Sequence, residues 1–524
     1  MRMSPILDRI PPTDLPGTSL YHAYLEGSDP VLVDRVGRIA DAAHPVLPGA
    51  GLTEELAAEL AAFNRSLGAS EHVVDALARA STFPVRFVLT GQQPGALGGP
   101  LLTLYKVATA EALACEMERT IGDTVVPVYW MGADDDDFAE IRGWVAAQRD
   151  LGPVEAAFDG SRHEVGLPIG SIGVEADAAL WGAVRALFGT EGSHWMKWID
   201  DALDGARDHG DVCARLISGV FQGRVAVVDG RSGVVRRAAR DCILAYVDRE
   251  REVRDAVARG ADILHEAGYH AQLTASGDYA GIFLMDRGRR VKIRRDRLMG
   301  MRSRFAAQPE LASPGVVLRS LVQDAAFAPV AAVLGSAEVA YRAQIADVYT
   351  MLGVRRPGIF ARMSATFVPG FAAGPLGEDV REVVLDPRGA AVRVIAAAMD
   401  PRVERAGDHL TDAVEHARRE YEEELGPSAG HRKVRGRLED VVRRTRSVAD
   451  AAIEDARRQA VSATPWLAHL ESFFLRAGTP QERYLWMFAP FALSNGAMDA
   501  IRDASAEHVR AALDGGVTHI VYSA

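Results

Sequence analysis

Four consecutive aspartates, Asp134 to Asp137, follow the apolar stretch "VVPVYWM" and raise the first chemical question of this sequence. Adjacent carboxylates repel one another, so such a run needs a metal ion, a cationic ligand or a structural use. An EF-hand calcium loop is excluded, because the sixth position is Ala139 rather than Gly and the twelfth is Val145 rather than Glu. Asp137 opens "DFAE", which fits a helix N-cap with Glu140 three residues on. Asp134, Asp135 and Asp136 are left for a ligand. Magnesium shared by one or two of them with a nucleotide phosphate is chemically reasonable.

A second stretch with chemical capacity is "TGQQPGALGGPLLTLYK", Thr90 to Lys106. Its glycines, Gly98 and Gly99 among them, let backbone N–H groups approach an anion, and a following helix would add the positive end of its dipole. The spacing is neither G-x-G-x-x-G nor G-x-x-x-x-G-K-[ST], so pattern alone leaves an anion site and a structural loop both open. Gln92 and Gln93 bring neutral donors and acceptors, suited to a polar substrate more than to proton transfer. Lys106 is one of only four lysines, with Lys197, Lys292 and Lys433.

The elements that would position these residues are legible. "VRFVLT" from Val85 reads as a buried strand, the next helix runs from about Pro100, placed at its first position, to Glu118, and "TVVPVYWM" is a second strand. Strand, loop, helix, strand is a βαβ unit, and so the fold class is α/β with a parallel sheet. In such sheets ligands bind at the carboxyl ends of the strands, where both stretches lie. "RVAVVDG" from Arg224 and "PVAAVLG" from Pro329 look like further strands of that layer, and "THIVYSA" like a final strand.

Residues 1–374 are assigned to this core, with a helical N-terminal part and insertions at about 151–217 and 230–305. A hairpin is expected around "GIFLMDRGRRVKIRRD", its basic run solvated. Residues 375–465 form a helical arm, in which Val403, Ala406, Leu410, Ala413, Ala417 and Tyr421 make one apolar stripe and Val434, Leu438, Val441, Thr445, Val448 and Ala452 a second. Steps of three and four indicate an antiparallel hairpin of coiled-coil type, an arm or a dimerisation element. Residues 466–524, rich in aromatics, pack back on the core.

With 524 residues, 71 acidic against 59 basic side chains and a net charge of -12, the chain can bury its own core and has no general affinity for nucleic acid or anionic membrane. No stretch reaches the roughly 18 uninterrupted apolar residues of a membrane span, and the start has no apolar leader segment. Cys115, Cys213 and Cys242 form no pair and read as buried small hydrophobes in a reducing cytosol, so a cytoplasmic protein is expected.

Taken together, "TGQQPGALGGPLLTLYK" and "PVYWMGADDDDF" resemble the signature of the bacillithiol biosynthesis cysteine-adding enzymes, the BshC family. "GVVLRSLVQDAAFAPVAAVLGSAEVAYRAQI", "RPGIFARMSATFV" and "GTPQERYLWMF" resemble further blocks of that family, in order along most of the chain. The resemblance implies a Rossmann-like core akin to class I aminoacyl-tRNA synthetases and nucleotidylyltransferases, with connecting-peptide insertions and a coiled-coil arm supporting a homodimer. It implies amide formation between the carboxyl group of L-cysteine and the amine of glucosaminyl malate. No tightly bound cofactor is expected, while ATP or another nucleotide, with Mg2+, fits the chemistry.

Carried over by motif, Gln92, Gln93, Gly98 and Gly99 would line the pocket, with Thr103 and Lys106 behind it and Asp134 beside it. Arg319, Gln323, Asp324, Glu338, Tyr341 and Gln344 occupy matching positions of the third block. Arg319 would bind the malate or cysteine carboxylate, or else pair with Asp324 or Glu338. Asp136 stands where the family has a histidine, Asp134 replaces its Glu, and "LGSAE" replaces a GGPAE turn at Leu334 and Ser336. A carboxylate with a pKa near ~4 is a poorer base than an imidazole near ~6.5 unless its surroundings raise it. The expected bases are Asp136 and Asp135, with His270 in "GYHAQL" as a replacement. A divergent carboxylate-activating or nucleotidyl-transferring enzyme and a non-catalytic, ligand-binding dimeric paralogue remain as alternatives.

Overall fold

The computed structural model describes residues 5–42, 51–148, 150–160, 164–188, 194–274, 277–426 and 432–524. They form two compact units. One comprises the chain up to Ala146, Val154–Gly370 and Gln481–Ala524; the other comprises Ala147–Pro153 and Phe371–Pro480. Residues 466–480, expected with the C-terminal return, therefore cluster with the arm instead.

The first unit is organised by a five-stranded sheet of β1 (Arg86–Gln92), β2 (Val125–Met131), β3 (Ala226–Asp229), β4 (Ala331–Leu334) and β5 (Gly358–Ala361). All pairings are parallel, and the spatial order is β5-β4-β1-β2-β3. Every residue of β2 is buried, as the continuous apolar run requires of a central parallel strand. The period of two divides the sheet between two layers. Phe87, Leu89, Val126 and Val128 join one core cluster with Leu318, Leu321 and Phe327, while Val88 and Val125 join the other with Ala110, Leu113 and Met117. Each fully buried side chain of this size contributes about 1.5–3 kcal/mol.

Helix α1 (Leu101–Ile121) makes the crossover from β1 to β2, capped at its C-terminus by Gly122 with φ 77°. Pro100 is the N-cap, with extended φ and ψ, rather than the first helical residue. Helix α2 (Val316–Phe327) precedes β4 and α3 (Ser336–Gln344) follows it. The strand β5 has no counterpart among the sequence-predicted strands; it is only four residues long. His519–Ser523 is a strand as expected, but of a separate sheet between Ile6–Ile10 and Ala365–Val368. The expected hairpin is present as Tyr279–Asp286 and Arg289–Arg294, turning at Arg287 and Gly288, both with positive φ.

In the second unit, helices Pro401–Leu425 and Arg432–Ala463 pack on each other. Gly407 faces Ala449, Glu415 pairs with Arg446, and Arg435 reaches the Gly426 carbonyl, a descending register that makes the hairpin antiparallel. Leu410, Tyr421, Val441 and Val448 of the expected stripes are exposed. Cys213 and Cys242 are buried and Cys115 lies at the surface, all as free thiols. Among the described residues no helix is long and apolar enough to cross a membrane.

Candidate functional site

The strand order reverses between β1 and β4, so the helices leaving their carboxyl ends diverge and open a crevice. A cavity of about 800 Å³ lies there, lined from β1 by Gln92 and Gln93, from β4 and α3 by Gly335, Ser336, Glu338 and Tyr341, and from α2 by Arg319 and Gln323. At its floor the Lys106 ammonium lies 2.5 Å from Glu338 Oε2 and donates to the Gly91 carbonyl (2.8 Å) and to Gln92 Oε1 (3.0 Å). Burial lowers the Lys106 pKa, against the opposing attraction of Glu338. Glu338 also accepts from the Gly335 N–H at 2.7 Å, which fastens the start of α3. One carboxylate thus ties the β4–α3 turn to the helix that follows β1.

The acidic run splits by direction. Asp134 is 1% exposed and turns beneath the site, where Oδ2 accepts from Ser313 Oγ at 3.0 Å and lies 3.5 Å from Arg236. Asp135 accepts from Gln93 Nε2 (3.0 Å), from Arg319 Nη1 (2.8 Å) and from Arg290 Nη1 (3.0 Å). Burial works against its charge, but the Arg319 and Arg290 guanidiniums prevail and hold its carboxyl well below the usual range. Asp136 accepts from Arg290 Nη1 at 2.7 Å. Asp137 caps the short helix Phe138–Ile141, its Oδ1 accepting from the Glu140 N–H at 3.4 Å. The run's charge is balanced by guanidiniums, and among the described residues no group of three or more acidic, His or Cys side chains is arranged to hold a metal ion.

Arg290 is the main cavity residue that the sequence reading does not single out. The basic hairpin was expected to be solvated, yet Arg290 is 6% exposed. Its guanidinium reaches Asp135, Asp136, Ser313 Oγ (2.9 Å) and the Pro314 carbonyl (2.9 Å), and stacks 3.7 Å over the Phe283 ring. The hairpin's alternation is the signal that could have found it, because Arg290 and Lys292, two apart, both line the cavity. Arg362 and Arg483 line it as well; Arg362 is held by buried Glu482 of the "PQER" stretch. Arg319 pairs with Asp135 and Asp134, not with Asp324 or Glu338. Asp324 instead accepts from Arg342 and from the Tyr349 hydroxyl.

Several expected residues lie elsewhere. His270 is exposed and outside the cavity lining, because it follows the last turn of helix Glu250–Glu266 at the surface. Gln344 is buried away from the cavity and binds both backbone groups of Leu273. Thr103 is buried in α1, outside the lining. Gly98 and Gly99 have positive φ, and a Cβ on Gly98 would collide with Met487 Sδ, so they serve close packing rather than the cavity. Behind this loop His209 is fully buried. Its Nδ1 lies 3.0 Å from both Asp177 oxygens and its Nε2 lies 3.0 Å from the Pro94 carbonyl. Both ring nitrogens face acceptors; burial opposes the imidazolium, but Asp177 raises its pKa.

The sequence model described as bacillithiol biosynthesis BshC, N-terminal Rossmann-like domain, matches residues 38–363. A Heliobacterium modesticaldum protein named "Putative cysteine ligase BshC" is 29% identical over 324 residues, 58% of this chain and 59% of the relative's length. The Geobacillus kaustophilus protein of that name is 26% identical over 489 residues, 85% of this chain and 83% of the relative. The one from Halalkalibacterium halodurans is 30% identical over 304 residues, 54% of this chain and 55% of the relative. A solved Campylobacter jejuni chain described as a "putative arginyl T-RNA synthetase" shares 12% identity over 88% of this chain and 97% of its own, with a TM-score of 0.25, too slight a likeness to bear on the fold.

Proposed function

Because this chain belongs to the bacillithiol biosynthesis BshC family, we propose that it is a ligase joining the carboxyl group of L-cysteine to the amine of glucosaminyl malate. The observation that carries this reading is the cavity at the β1–β4 switch point, where carboxylates and guanidiniums converge within one polar site. An amide-forming site needs donors for carboxylate oxygens, acceptors for an amine and a path for its proton. Arg290 and Arg319 supply donors, and Asp135, Asp136 and Glu140 supply acceptors in the same cavity.

Forming an amide from free acid and amine requires activation, for which ATP with Mg2+ is the proposed source. Lys292 and Arg483, which also line the cavity, bring the donor chemistry that phosphates require. The same reading includes a cytoplasmic homodimer, tested by sedimentation of the full chain. A second reading, an acid-activating enzyme of this family with a different amine or acid, is favoured by one observation: Asp136 replaces the family's histidine and is bound by Arg290.

Purified protein incubated with glucosaminyl malate, L-cysteine and ATP-Mg is expected to yield a thiol product whose mass equals the two substrates less one water. Absence of that product under every nucleotide condition removes the cysteine-ligase reading.

A further inference from the structure

Most carboxylates that line the cavity are already bound by cations. Asp135 and Asp136 face Arg290 and Arg319, Asp324 faces Arg342, and Glu338 faces Lys106. Among the described residues, Asp137 and Glu140 are the lining carboxylates that no Arg or Lys meets at ion-pair distance. Asp137 is engaged as the helix cap. Asp135, gripped by two guanidiniums that hold its carboxyl below the usual range, is poorly suited to take a proton from an ammonium group, and Asp136 is engaged by Arg290.

We propose that Glu140 accepts the proton of the substrate's ammonium group, an inference that rests on the ligase reading above. Its carboxyl lines the cavity next to Gln93, whose amide also donates to Asp135 Oδ2 at 3.0 Å, so one glutamine relates the arginine-bound carboxylate to the free one. Burial raises the Glu140 pKa; Gln93 opposes this, Asp137 and Asp135 add to it, and Lys106 opposes it. The residue remains open to solvent at the rim, which lets an accepted proton pass to water. The step breaks one N–H bond of R–NH3+ and forms one O–H bond on Glu140. It leaves R–NH2 with a lone pair for attack on an activated acyl carbon, and a neutral carboxylic acid that later releases its proton to solvent.

Two measurements test this. Protein carrying carboxyl-13C glutamate is titrated by NMR, with Glu140→Gln assigning the resonance. The Glu140 midpoint is expected above that of glutamates outside the cavity and is expected to move to lower pH with saturating D-glucosamine, but not with N-acetyl-D-glucosamine, which has no ammonium. In the ligase assay, Glu140→Gln is expected to lower kcat on the order of 100-fold. It is also expected to leave the KM for L-cysteine within about threefold and to remove the acid limb of the pH profile, with Glu140→Asp recovering part of the rate. Full kcat in Glu140→Gln, or a midpoint that D-glucosamine does not move, overturns the proposal. If the wild-type protein makes no product while D-glucosamine still moves the Glu140 midpoint, the ligase reading falls and the ammonium site stands.

Discussion

Lys106 Nζ and Glu338 Oε2 lie 2.5 Å apart, joining the helix after β1 to the helix after β4 across the switch point of the sheet. Lys106 is 4% exposed, so its charge depends on this partner. Glu338→Gln is expected to cost about 3 kcal/mol, because it leaves a buried ammonium without its counter-ion. Lys106→Met combined with Glu338→Gln is expected to recover part of that loss. Urea denaturation of the three proteins checks both expectations.

Asp135 makes stability depend on acid. Its folded pKa is depressed, so its contribution is present above the unfolded value near ~4 and is lost as pH falls through the folded value. Asp135→Asn is expected to cost on the order of 3 kcal/mol at neutral pH. The gap to the wild-type protein should close progressively below about pH 4. Denaturant midpoints across that range provide the measurement.

The His209–Asp177 pair predicts the opposite slope. A raised imidazole pKa contributes stability in full below the unfolded value near ~6.5 and loses it as pH rises through the folded value. The stability difference between wild type and His209→Gln is therefore expected to be widest near pH ~6 and to shrink toward alkaline pH. Thermal unfolding over a pH series, with Asp177→Asn alongside, reads it.

Gly98→Ala is expected to destabilise the protein by more than about 1 kcal/mol, through a positive φ and a clash with Met487. Adding Met487→Ala removes the clash but not the backbone strain, so it should recover only part of the loss in a double-mutant comparison of thermal midpoints.

What was legible in the sequence follows from the range of the forces involved. β1, α1 and β2 are written in local periodicity, and their carboxyl ends locate Gln92, Gln93 and Lys106 at the cavity without any knowledge of side-chain contacts. Asp137 as a cap is equally local. The partners of Asp134 to Asp136 are not, since Arg290 and Arg319 arrive from elements more than 150 residues away, where one arginine in a basic hairpin looks like another. Gly98 and Gly99 show the same limit. Their pattern leaves an anion loop and a structural loop both open, while the Met487 side chain that explains Gly98 belongs to the far end of the chain. His270 has the residue type of a base, and no local signal in the sequence tells that it faces solvent.

The separation between the acidic run and its arginines has a consequence for synthesis. β1 and β2 can pair soon after they leave the ribosome, but Asp135 must wait 184 residues for Arg319. Until Arg290 and then Arg319 are made, the nascent strand pair carries an unneutralised acidic tip, whose self-repulsion keeps it hydrated. A ribosome-bound chain stalled before Arg319 is emitted has β1, β2 and β3 but neither β4 and β5 nor the second arginine of Asp135.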